Sequence, residues 1–137
     1  MTARLYHLSA HEYGHIQQSP ALEEDSENTT VLKQSLIEGV AELMARLTSG
    51  EVSNVHLQRW TAGRVREIDQ RFLADAGNTD ISAWLYNGVG TPEQPGDLGY
   101  WVGYRIAKAY YDKAADKRVA LRTLLDLKDP AEIGRAH

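Results

Sequence analysis

No stretch of this 137-residue chain alternates apolar and polar residues with a period of two, whereas several repeat apolar residues every three or four positions. A half-buried strand needs the first pattern and an amphipathic helix the second, so an all-α fold is expected. With 137 residues the chain is one domain's worth, long enough to bury a real core, and a single domain over 1–137 is expected. The absence of cysteine excludes disulfides, thiolate metal sites and cysteine nucleophiles, so any metal must be held by nitrogen and oxygen. A net charge of −4 spread over mixed signs gives no electrostatic reason to expect nucleic acid or an anionic membrane as a partner. No run of 18 apolar residues exists, so no membrane-spanning segment is expected. The N-terminus lacks the basic and apolar regions of a signal peptide; as written the chain reads as cytoplasmic, with export open if the true start lies upstream.

The apolar spacing predicts a first helix from Arg4 to Gln18, closed by Pro20, and then an acidic surface loop over 21–28. The loop's oxygens are not in the order of a calcium-binding EF-hand. Thr29 or Thr30 is suited to cap a second helix that runs to about Thr48, with Gly50 as its stop. Its core stripe reads Leu32, Leu36, Val40, Leu43 and Leu47. Glu38 and Glu42 share a separate flank with Val31, Ser35 and Ala45, where small side chains allow another helix or a metal to come close. A third helix is predicted over Asn54–Ala76, with Leu57, Trp60, Val65, Ile68 and Phe72 buried. Asp80 reads as the cap of a short helical segment, Ile81–Tyr86. The glycine-containing loop Asn87–Gly96 has no following Gly-Lys-Ser/Thr and no preceding strand, which argues against a phosphate cradle. A fourth long helix starts near Asp97 or Leu98, another covers Val119–Leu127, and Asp129-Pro130 opens a last short one.

Chemistry concentrates in His11-Glu12-Tyr13-Gly14-His15. On a helix His11 and His15 lie one turn apart on one face, so both imidazoles reach one metal ion, and Glu12 on the adjacent flank is suited to take a proton from a zinc-bound water. Such a site needs a third ligand. The metzincin arrangement is excluded, because Gln18 and Ala21 stand where glycine and a third histidine belong. His7, His56 and His137 have no helical relation that recommends them and read as structural or surface histidines.

Twenty-two residues separate His15 from Glu38, which stands in Ile37-Glu38-Gly39-Val40-Ala41, and further on the chain reads Gly99-Tyr100-Trp101-Val102-Gly103-Tyr104-Arg105-Ile106. The His-Glu-x-x-His motif followed by Glu-Gly-x-Ala resembles the gluzincin zinc metallopeptidases, particularly the aminopeptidase branch. All three motifs in this order resemble a bacterial family of predicted Zn-dependent proteases. The resemblance implies Zn2+ as cofactor, His11, His15 and Glu38 as ligands, and Glu12 as general base in peptide-bond hydrolysis by a metal-activated water. It also implies Glu42 as a carboxylate that orients a ligand histidine, with Glu42 as ligand and Glu38 as support the competing assignment. Tyr100, in a Tyr-x-x-Gly setting, would donate a hydrogen bond to the oxyanion, with Tyr104 as the alternative donor. The expected partner is a peptide or protein substrate. Gluzincins carry a β-sheet upstream of the metal helix, but only ten residues precede His11, so the sheet is expected to be missing and the chain to be a fragment of a longer protein. The alternative functions are a non-catalytic zinc-binding or helical interaction domain, and a zinc amidohydrolase acting on a small substrate.

Overall fold

The computed structural model describes residues 11, 12, 14–18, 29–50, 55–88, 90 and 94–135, with the side chains at 55, 56 and 58 left aside. Among these the secondary structure is helical and no strand occurs, only an isolated bridge between Gly90 and Pro95. Residues 11, 12 and 14–17 form the motif turn. The named helices are α1 (Val31–Ser49), α2 (Val55–Thr61), α3 (Val65–Asp75), α4 (Leu98–Lys113), α5 (Lys117–Asp126) and α6 (Pro130–Arg135). No helix among the described residues is long and apolar enough to cross a membrane. The predicted helix before His11, the acidic loop over 21–28, His7 and His137 lie outside the described residues, as does the side chain of His56.

The central helix is α1, and both of its ends are written in the sequence. Thr30 accepts the N–H of Lys33 on its hydroxyl at 3.1 Å, and Gly50 closes the helix in the left-handed conformation with its N–H on Arg46 O at 2.7 Å. Two more of the N–H groups that a helix start leaves unpaired find the end of α3: Val31 donates to Asn78 O and Leu32 to Ala76 O. Leu36, Val40 and Leu43 are buried, each such side chain contributing about 1.5–3 kcal/mol. Leu47, at the end of the expected stripe, is 48% exposed.

The small-residue flank of α1 is where α4 lies, and this is the most extensive helix pair in the molecule. A methyl group added at Gly39 would sit 2.1 Å from the backbone of Gly103, and one at Gly103 would sit 1.8 Å from Ser35 O. Only glycine at both positions lets the two backbones approach this closely. On another side of α1 the motif turn comes nearly as close, since a methyl at Gly14 would meet Ala41 O at 3.1 Å. The Glu-Gly-x-Ala motif therefore has a packing reason at each small residue: Gly39 admits α4 and Ala41 admits the motif turn. Glu38 stands between them.

Two expected elements differ. The single helix over 54–76 is broken into α2 and α3, because Gly63 takes a left-handed φ of 79° that no continuous helix passes through. The apolar pattern hides the break: Leu57, Ile68 and Phe72 enter one core, and Trp60 and Val65 pack against it. Residues 81–86 form turns instead of a helix. Asp80 caps the first of these turns, accepting from the Ser82 N–H at 3.0 Å and its hydroxyl at 2.6 Å, and Tyr86 leaves the helical region altogether at φ 55°.

Candidate metal centre

The protonation of the two histidines can be deduced from their neighbours. Gln18 donates its Nε2 to the carbonyl of Ile37 at 2.7 Å, and since a carbonyl only accepts, the amide orientation is fixed. Its Oε1 then faces His15 Nδ1 at 2.9 Å and must receive a proton from it. In its neutral form His15 therefore carries hydrogen on Nδ1 and turns the lone pair of Nε2 inward. His11 is treated alike by Glu42, whose Oε1 lies 2.6 Å from Nδ1, although the approach is bent away from the ideal N–H direction and leaves Nδ1 short of a well-aligned hydrogen bond. Gln18 stands three residues after His15 on one face of the same turn, a spacing that marks it as a partner.

Three acceptor atoms then meet. His11 Nε2 and His15 Nε2 are 2.9 Å apart, and Glu38 Oε2 lies 3.3 Å from the first and 3.1 Å from the second. A tetrahedral zinc with bonds of about 2.0–2.1 Å spaces its ligand atoms about 3.3 Å apart. Three lone pairs so close repel one another unless protons or a metal cation lie among them, and nitrogen with carboxylate oxygen is the donor set that zinc takes in hydrolytic sites. Glu12 is exposed beside them, and a carboxylate oxygen of Glu12 lies within 4.8 Å of the ligand nitrogens of both histidines.

A family model described as "Predicted Zn-dependent protease (DUF2268)" matches residues 2–129. The chain belongs to this family. No curated protein and no solved structure matches it. Zinc is thus the metal of the family, and the donors that His11, His15 and Glu38 bring together suit it.

Around the His11, His15 and Glu38 cluster α4 and the 81–88 turns supply a wall of phenols. The Tyr100 ring stacks on His11 with centroids 6.5 Å apart. Tyr86 meets Tyr100 edge-on at 6.0 Å, and its hydroxyl donates to Glu38 Oε1 at 2.7 Å while accepting from Gln34 Nε2 at 2.8 Å. The Tyr86 and Tyr100 phenols lie close enough to influence each other's titration. Tyr104 points elsewhere: it is buried, and its hydroxyl accepts from Arg46 Nη1 at 2.7 Å. Sequence reasoning did not single out Tyr86, Gln18 or Gln34 as functional. Gln18 carried a local signal in its spacing from His15. Tyr86 carried none, because 48 residues separate it from Glu38.

Burial alone would raise the Glu38 carboxyl, but hydrogen bonds from His11, His15 and Tyr86 outweigh it and hold the pKa down at about 2. Burial alone would lower His11, but its bonds to Glu38 and Glu42 and their negative charges raise it to about 9. His15 is raised too, first by its bond to Glu38. When no metal is bound, protons hold this cluster together at neutral pH, and zinc must displace them. Below pH 9 the apparent zinc affinity is therefore expected to rise with pH, by about tenfold per pH unit for each proton displaced, and to flatten above it. Titration against a chelator at several pH values checks this; an affinity independent of pH would contradict it.

Proposed function

We propose that the protein hydrolyses peptide bonds at a zinc ion held by His11, His15 and Glu38. The observation that carries this reading is the convergence of two imidazole nitrogens and a carboxylate oxygen, with the His15 tautomer set from behind by Gln18 and the far nitrogen of His11 facing Glu42, next to an exposed carboxylate. Bound zinc supplies a Lewis acid that polarises the scissile carbonyl and makes water acidic enough to lose a proton near neutral pH. Glu12 accepts that proton on its carboxylate and returns it to the departing amine, a contribution of about 10²–10⁴ in rate.

Tyr100 is the phenol suited to donate to the oxyanion. Burial and the charge of Glu38 push its hydroxyl above the ordinary tyrosine range, so it stays a neutral donor at every working pH. An arriving oxyanion is a strong acceptor for its O–H, since charge-assisted hydrogen bonds are roughly twice as strong as neutral ones. Tyr104 is the weaker choice, because its hydroxyl is already engaged by Arg46. A structural zinc site would need a fourth protein ligand. Glu42, the nearest further carboxylate on α1, faces the far nitrogen of His11, which favours an open and catalytic site. A peptide is preferred to a small amide as substrate on the family's description.

The ligand assignment is tested by zinc titration of two variants. Glu42→Ala is expected to weaken zinc by about 10–100-fold, as loss of a carboxylate behind a ligand histidine does, and Glu38→Ala by considerably more. The reverse order would exchange the two roles.

A further inference from the structure

The oxygen of Glu38 that faces away from the histidines is itself tightly held. Tyr86 reaches it from the 81–88 turns, across 48 residues of sequence, with a hydroxyl that has one proton to give. Gln34 donates to the same phenol oxygen at 2.8 Å, which leaves the phenol proton directed to Glu38 Oε1. The Tyr86 backbone is in the left-handed region at φ 55°, a conformation that costs a bulky residue free energy and persists where the surroundings over-determine it. The residue is 56% exposed, so burial does not account for the conformation.

The geometry points to Tyr86 as a positioning residue that keeps Glu38 a one-oxygen metal ligand. With Oε1 occupied by the phenol proton, only Oε2 is directed at the two Nε2 atoms. A carboxylate released from that bond swings to offer both oxygens to a cation, adding a ligand atom where the substrate or water should bind. This inference rests on the proposed ligand set, and the test separates the two.

Cobalt(II) in place of zinc reports coordination through its visible absorption, and it is titrated into the full chain and into Tyr86→Phe, Gln34→Ala and Glu38→Ala. Tyr86→Phe keeps the ring and removes only the hydroxyl, and its circular dichroism should match the parent. It is expected to bind cobalt about 10–100-fold more weakly. Its absorption should also weaken and shift, as a centre does when it gains a ligand atom. Gln34→Ala, which leaves the phenol in place but loosens it, should move the spectrum in the same direction by a smaller amount. If Tyr86→Phe shows the parent's affinity and spectrum while Glu38→Ala loses the metal, the role of Tyr86 is overturned and the ligand set stands. If Glu38→Ala binds cobalt as the parent does, the ligand set falls and the role of Tyr86 falls with it.

Discussion

Replacing Glu12 by glutamine is expected to leave zinc bound and to slow peptide hydrolysis by about 10²–10⁴-fold. The amide has nearly the shape of the carboxylate but cannot take a proton from water, so the variant removes the base and little else. Glu12 is exposed and lies beside the two histidine nitrogens, so its loss should cost neither stability nor metal. Hydrolysis of a fluorogenic peptide library by the zinc-loaded parent and variant, with zinc content measured on the same samples, provides the check. A variant as fast as the parent would remove Glu12 from the mechanism.

The largest effect on stability is expected at Gly103. A methyl group there would sit 1.8 Å from the carbonyl oxygen of Ser35, a backbone atom that cannot swing aside, so α1 and α4 must move apart along their whole contact. Overpacking usually costs about 1–3 kcal/mol, and a rigid clash of this kind belongs at or above the top of that range. For a chain of this size that is a fall in melting temperature of roughly 10 °C. Gly77→Ala is the control, because nothing lies within 4 Å of the methyl it would add. It should melt at or slightly above the parent temperature. Equal melting of the two variants would mean that the close approach of α1 and α4 does not hold the site together. Because that approach also sets the distance between Glu38 on α1 and Tyr100 on α4, Gly103→Ala should weaken zinc binding even where it remains folded.

Much of this centre is legible in the sequence, for local reasons. The ends of α1 follow from Thr30 and Gly50, and the small residues on its flank foretell the close crossing by α4. The helical spacing of His11 and His15 anticipates that their nitrogens meet. What local reasoning misses depends on backbone signs and on contacts between distant segments. Apolar periodicity runs straight through residues 57–72, and only the left-handed φ of Gly63 reveals that one expected helix is two. Tyr86 looks like the end of a short helix, yet its backbone turns left-handed and its hydroxyl travels to Glu38. A phenol reaching a metal-facing carboxylate across 48 residues leaves no trace in spacing or composition. Tyr100 and Tyr104 are equivalent as letters, one helical turn apart. Only the Arg46 guanidinium on one and the site on the other distinguish them.

The central claim is that two imidazoles and one carboxylate hold the zinc. X-ray absorption of the zinc-loaded protein tests it most directly, since imidazole rings give a scattering pattern beyond the first shell that allows them to be counted. The account predicts two imidazoles per zinc, with the remaining ligands oxygen at about 2.0–2.2 Å. A spectrum requiring one or three imidazoles, or a protein that takes up no zinc, would contradict it.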